Sequence, residues 1–297
     1  MTIHTIDLEF QGVLKVIAAF MIPHRDGVVL IESGPQTCWE ALKRGLTKHG
    51  YAPCDVTDVL LTHVHFDHAG AAWSLAKAGA NIHVHPKGIR HLADPSRLWN
   101  SAARIYGDAG MTMLWGAMEP IAEAKLHVAE EGQQLSIGGL NFVAHHSPGH
   151  AKHHIAWQCE EALFTGDVGG VCINDGPMEP PCPPPDIDAF AWYNSIEKLS
   201  GLNEVKRLFL THFGEQQGDI SEHWKVLRNR LDAWIAFIES NADLDTSTLI
   251  DVFTDYVSEE RTKYEGAEGC YAFANPAEMS VAGIRRWLSK RDELAAT

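Results

Sequence analysis

A mixed α/β (α+β) fold followed by a helical C-terminal region is what the sequence predicts, on three observations. Short apolar runs with strand character alternate with stretches of helical period as far as residue 215. A His or Asp follows directly on several of those runs. From residue 216 onward strand signals give way to a 3.6-residue period. The chain therefore divides into residues 1–215, expected to carry the site, and residues 216–297, expected to pack on or cover the active-site side as helices.

In chain order, Ile6–Phe10, Val13–Ile22 and Val28–Ile31 read as strands, with Asp26-Gly27 as a hairpin turn. Cys38 to Lys48 places Trp39, Leu42 and Leu46 on one helical face, and Gly50 stands at the expected stop. Val59–Leu61 is a short buried strand that runs into Thr62-His63-Val64-His65-Phe66-Asp67-His68, and a helix is expected over residues 69–77. Residues 81–85 form a further strand. Its His83 and His85 read as a strand end, because no acid or third His follows them. Residues 88–118 look helical and loop-like, with Trp99, Tyr106 and Trp115 available to a pocket or to the core.

Strand signals return at residues 134–144 around Gly138-Gly139, and this hairpin leads to Ser147-Pro148-Gly149-His150. Another hairpin, Ile155–Trp157 with Ala162–Phe164, leads to Thr165-Gly166-Asp167. Residues 169–185 are too rich in Gly and Pro for a regular element and are expected to be a surface loop near the cleft. A helix from 188 to 199 follows, capped by Asp186 or Asp188, and the strand Leu208–Leu210 delivers Thr211-His212. Beyond it, Ile220, Trp224, Leu227, Leu231, Trp234 and Ile238 form one apolar stripe, expected to cover the rest of the fold, with a homodimer seam as the alternative. Further helices are expected near 248–257 and 276–288.

The chemistry concentrates at the strand ends. In extended backbone His63 and His65 point the same way and can share one ion, while Asp67 and His68, at the turn into a helix, can face a second. His150, Asp167 and His212 complete a set of five His and two Asp. Seven donors and a bridging water are about the inventory of a two-metal hydrolytic site. Two divalent ions are expected, zinc first, with iron or manganese suited to the same donors.

Composition narrows the partners. A formal charge of −15 and a pI near 5.5 argue against a grip on nucleic acid phosphates. No basic-then-apolar leader and no run of about eighteen apolar residues is present, so a cytoplasmic, non-membrane protein is expected. The six cysteines lack any Cys-X-X-Cys pair and are expected to be reduced.

The ordered motifs His63-X-His65-X-Asp67-His68, Ser147-Pro148-Gly149-His150, Thr165-Gly166-Asp167 and Thr211-His212 resemble the metallo-β-lactamase superfamily in its glyoxalase II-like branch. The resemblance covers roughly residues 5–215 and implies an αββα sandwich with the metals at one edge of two sheets. It further implies that His63, His65 and His150 hold one ion, that Asp67, His68 and His212 hold the other, and that Asp167 bridges them. One departure is Glu32 in Ile31-Glu32-Ser33-Gly34, where many members carry Asp near the Gly. The true β-lactamases commonly place a Cys at the second site, so Asp167 argues against antibiotic hydrolysis.

The expected activity is hydrolysis of a small-molecule thioester, lactone or related ester by a metal-bridging hydroxide, with Asp67 and Asp167 orienting the water. Alternatives are a phosphodiesterase or phosphotriesterase, a mononuclear iron persulfide dioxygenase, and a metal-containing binding or regulatory protein. His146, His153 and His154 are candidates to orient His150. Tyr106 and Tyr193 are candidates for an acyl pocket, and Cys172 and Cys182 read as ordinary packed or exposed thiols.

Overall fold

The structure, a computed structural model, describes residues 1–295, with side chains through Arg291. Two six-stranded sheets are built from consecutive halves of the chain. The first contains β1 (His4–Asp7), β2 (Ala18–His24), β3 (Gly27–Ile31), β4 (Val56–Leu60), β5 (Asn81–Val84) and β6 (Leu126–Val128), side by side in that order. β7 (Gln134–Ile137), β8 (Leu140–His146), β9 (Ile155–Cys159), β10 (Ala162–Phe164), β11 (Arg207–Leu210) and β12 (Gly214–Glu215) make the second, again in sequence order. β3 to β6 are parallel neighbours joined through helices, and β10 pairs in parallel with β11.

Alternation along the strands sorts side chains into layers. Phe20, Ile22, Val29, Ile31 and Leu60 from the first sheet meet Phe142, Ile155, Trp157, Phe164 and Phe209 from the second. The intervening residues face outward. Met21, Val28, Leu30 and Val59 pack against α1 (Trp39–Lys48) and α3 (Ala72–Ala78), which follows the single turn of α2 (Phe66–Ala69). Ala156, Leu163, Leu208 and Leu210 pack under the opposite helical layer. Both faces of each sheet are thus covered, which is why β3 and β10 read as continuous apolar runs rather than alternating ones. The four layers are helix, sheet, sheet, helix, the mixed α/β sandwich that was expected.

Around the first layer lie α4 (Ile89–Ala93) and α5 (Ser96–Leu114), the latter interrupted at Gly107. The second outer layer joins α6 (Ala189–Ser200) to α7 (Ile220–Ser240), α8 (Thr246–Arg261) and α10 (Ala277–Ala295), while α9 (Ala267–Ala274) sends Tyr271 into the first core. The α7 stripe Trp224, Leu227, Leu231, Trp234 and Ile238 is buried with Trp192 and Ile196 of α6 and with β11. Asp188 caps α6 by accepting from the Ala191 amide at 3.1 Å.

Two readings are corrected, and three elements were not foreseen. Residues 8–17 are not strand, because Glu9, Gln11 and Lys15 turn the chain through left-handed backbone. β6, β12 and α9 had no expectation at all. Residues 169–185 do not form a surface loop: Pro177, Met178, Glu179, Pro180, Pro181 and Cys182 are buried. Proline carries no N–H, so a proline-rich segment can be buried with fewer donors to satisfy. No described helix is long and apolar enough to cross a membrane.

Candidate metal centre

All seven predicted side chains meet at one edge of the sandwich. β4 ends at Leu60 and delivers His63, His65, Asp67 and His68 through the turn into α2. The turns after β8 and β10 deliver His150 and Asp167, and β11 delivers His212. Two motif glycines make these turns feasible. Gly149 adopts φ +146°, and a Cβ there would lie 2.4 Å from the Cβ of Trp192. Gly166 adopts φ +51°, and a Cβ would fall 2.6 Å from Thr62 Oγ1.

His65 Nδ1 lies 2.8 Å from His63 Nε2 and 3.0 Å from His150 Nε2. Asp167 lies between that group and a second one: its Oδ2 is 3.2 Å from His150 Nε2, and its Oδ1 is 3.2 Å from His68 Nε2 and 3.4 Å from His212 Nε2. Asp67 Oδ2 is 3.5 Å from both His68 Nε2 and His212 Nε2. Donors arranged tetrahedrally around a zinc ion are about 3.3 Å apart. His63, His65 and His150 form one compact group, Asp67, His68 and His212 another, and His63, His68 and Asp167 a third that overlaps both.

The outward ring nitrogens decide which atoms face inward. His150 Nδ1 donates to the Pro181 carbonyl at 2.8 Å, and His212 Nδ1 to the Val16 carbonyl at 2.7 Å. His68 Nδ1 donates to Glu32 Oε1 at 2.8 Å. His63 Nδ1 donates to Thr62 Oγ1 at 3.0 Å, and the Thr62 hydroxyl donates in turn to Glu32 Oε1. Each proton held on Nδ1 leaves the Nε2 lone pair for the centre. His68 Nε2, His212 Nε2 and Asp167 Oδ1 are buried and make no hydrogen bond. Such atoms are costly unless another group satisfies them, and imidazole nitrogens with carboxylate oxygens suit a divalent cation.

The electrostatics separate the two groups. Burial, reinforced by neighbouring imidazoles, holds His63 well below the usual histidine range and His65 down to about 4. His150 is likewise lowered, chiefly by burial. Burial also disfavours a charge on His68 and His212, but Asp167 and Asp67 outweigh it and raise both. For Asp67 and Asp167 burial works against the charged form, yet the adjoining imidazoles prevail and hold both carboxyls below their usual range.

Sequence reasoning noted Glu32 only as a departure from the family pattern and gave it no role. It is fully buried in left-handed backbone at φ +67°, accepts from His68, Thr62 and Thr211, and so ties one imidazole of each group to a single carboxylate. Its signal was the one that found Asp167, an acid directly after an apolar strand. The His146, His153 and His154 expectation is corrected: none of them bonds His150, whose Nδ1 is held by a backbone carbonyl. His154 instead binds Ser147 Oγ at 2.9 Å, and His146 the Ala129 carbonyl.

Tyr106 lies among the aromatics beside the site, 5.6 Å from Trp115, and burial pushes its hydroxyl up to about 12. Tyr193 is engaged between α6 and α7, bonded to Asp232 under Arg228. All six cysteines are free thiols, and burial raises both Cys172 and Cys182 above the usual range, which suits packing and not nucleophilic attack.

The sequence pattern of the Metallo-beta-lactamase superfamily matches residues 14–212. The chain belongs to that superfamily. Superfamily relatives include the metallo-beta-lactamase fold-containing protein ST1585 of Sulfurisphaera tokodaii, 28% identical over 192 residues that span 63% of this chain and 70% of that protein. The crystal structure of ST1585 aligns over 95% of this chain and 98% of its own with a TM-score of 0.66 at 20% identity, a likeness of fold. A hydroxyacylglutathione hydrolase of Pseudomonas savastanoi is 32% identical over 165 residues, 53% of this chain and 48% of the enzyme. An atrochrysone carboxyl ACP thioesterase of Pseudocercospora fijiensis is 31% identical over 146 residues, 48% of this chain and 34% of the enzyme.

Proposed function

We propose that this superfamily member is a dinuclear metal-dependent hydrolase of a small-molecule thioester or closely related ester, in the glyoxalase II-like manner. The observation that carries the reading is the convergence of seven donors in two groups sharing Asp167, with imidazole lone pairs aimed inward by fixed Nδ1 partners. His63, His65 and His150 would hold one divalent cation, Asp67, His68 and His212 a second, and Asp167 would reach both. Bound there, the cations would lower the pKa of a water toward neutrality and polarise the scissile carbonyl.

The chain's own residues supply orientation. The Asp67 carboxylate is 21% exposed and His65 is partly buried, whereas the other five side chains are buried, so substrate approaches from the Asp67 and His65 side. Asp67, anionic at neutral pH, accepts a hydrogen bond from the attacking water and fixes its direction. Phe66, between those two residues in the chain, packs edge-on to Trp99 at 5.9 Å and against Trp115 at 6.1 Å. These rings border the opening with an apolar wall suited to an acyl group. The relatives named as a thioesterase and as a hydroxyacylglutathione hydrolase support an acyl bond over a phosphate ester.

Metal analysis of natively purified protein, followed by turnover of thioester, lactone and bis(aryl) phosphate panels at known metal content, tests the proposal. Two equivalents of divalent metal and preferred thioester or lactone turnover, abolished in Asp167→Asn, are expected. Full activity in Asp167→Asn, or metal-replete protein inert towards both ester classes, would end it. Oxygen uptake with glutathione persulfide at one iron per chain would replace it with a dioxygenase.

A further inference from the structure

The proposed hydrolysis leaves a buried ion pair beside the site without a role. Arg261 on α8 and Glu179 in the segment after Asp167 are each only 2% exposed at the side chain, and they form a bidentate pair at 2.8 and 2.7 Å. Replacing such a pair by apolar side chains is often neutral for stability, so stability alone is a weak account of it. Its geometry is more telling. Asn275, just beyond α9, donates to the same carboxylate at 3.0 Å, and its carbonyl accepts from Arg261 at 3.1 Å. Glu179 in turn exchanges both backbone hydrogen bonds with Val171.

The same segment is held elsewhere by the C-terminal helices. The Tyr271 hydroxyl accepts from the Ile173 amide at 3.0 Å and donates to the Pro177 carbonyl. Gly283 of α10 lies so close that a Cβ there would be 1.9 Å from the Cys182 carbonyl oxygen. Between the Glu179 and Cys182 anchors stands Pro181, whose carbonyl accepts from His150 Nδ1.

We propose that the Glu179–Arg261 pair positions His150: by clamping residues 171–182 to the C-terminal helices, it sets the Pro181 carbonyl that fixes the ring and tautomer of that histidine. The consequence for metal binding rests on the reading of His150 as a ligand. The coupling from Arg261 to His150 does not.

Ring ¹⁵N spectra of histidine-labelled, chelator-treated full chain test this directly. In the double variant Glu179→Met/Arg261→Met, which removes both charges of the pair and leaves Glu268, 3.9 Å from Arg261, the hydroxyl of Ser258, the His150 Nδ1–H resonance shifts or broadens. His68, whose Nδ1 partner is Glu32, keeps its own; His212, whose carbonyl accepts from the Cys172 amide of the same segment, moves with that segment and is no control. Gly283→Ala, which displaces the Cys182 backbone without touching a charge, produces the same selective change. Ile238→Ala, a buried α7 substitution in the same helical layer, lowers Tm but leaves the His150 signal in place. With zinc added, one of the two ions binds at least about tenfold more weakly in the double variant.

An unmoved His150 resonance in both the double variant and Gly283→Ala would overturn the proposal. So would equal movement of His68, or the same change in Ile238→Ala. Absence of metal or turnover in the unsubstituted protein would defeat the hydrolase reading instead, and the metal-free spectra would still decide this one.

Discussion

Replacing Glu32 should weaken both ions, although it touches neither group's centre. One oxygen, Oε1, receives His68 Nδ1–H directly, the Thr62 hydroxyl that holds His63, and the Thr211 hydroxyl at 3.2 Å, while Oε2 receives the Thr62 amide at 3.3 Å. In Glu32→Gln the amide oxygen can occupy the Oε1 position and keep those three donors. The amide nitrogen must then face the Thr62 N–H, and the negative charge that supports His68 basicity is gone. Loss of such an orienting group costs about 10–100-fold in metal affinity, which is about 1.4–2.7 kcal/mol.

Glu32→Ala leaves four buried donors unsatisfied, each costing about 1–3 kcal/mol, so a fall in folding stability of at least about 4 kcal/mol is expected as well. Chelator-competition titration of zinc with each variant, alongside urea unfolding of the metal-free forms, measures the two effects separately. Affinities within twofold of the parent for both ions in folded Glu32→Ala would refute the orienting role. Selective loss of one ion would refute the shared tie through Thr62.

Asp167→Asn removes the charge of a carboxylate that reaches both groups, so metal content should drop for both ions and kcat should fall by about a thousandfold or more, read by metal analysis and steady-state kinetics. Gly149→Ala must push against the Trp192 Cβ in unfavourable backbone, and a loss of about 2–3 kcal/mol in urea unfolding is expected, with weakened binding by the adjoining His150. Burial pushes His223 and His85 down to about 4, the Gly169 carbonyl opposing it at His223 and His146 reinforcing it at His85. Both are neutral in the fold and take a proton near pH 6.5 when unfolded, so their stabilising contribution is complete above pH 6.5 and disappears as pH falls toward 4. Tm of the metal-free protein should decline across that window. Zinc at about a thousandfold above its Kd should raise folding stability by about 4 kcal/mol in denaturant titrations, and a chelator should reverse it.

Much of the site was legible because its residues obey a local rule: a ligand type stands directly beyond a short apolar strand, as at His63, Asp167 and His212. The sandwich followed from the resemblance that those motifs carry, whereas single strands were legible in themselves, since one covered on both faces, such as Val28–Ile31, leaves an unbroken apolar signature. Partners that act through the backbone leave no such mark. The Pro181 and Val16 carbonyls orient His150 and His212, yet any residue type there would supply the same oxygen. The burial of residues 177–182 was hidden too, because proline and glycine signal irregular backbone without saying whether it faces water. β6 and β12 span three and two residues, too few to establish a period of two.

The sequential strand order has a consequence for assembly. Each sheet is made from one continuous half of the chain, so its strands can find one another without waiting for the other half. The centre cannot be completed that way: four donors arrive with β4, and three come from the second half, His212 last. Ions bound across that divide would act as rivets between two separately formed halves, drawing their strength from the docking of the sheets. Incorrect docking would therefore leave both halves folded and the centre open, so metal retention reports whether the halves have met correctly.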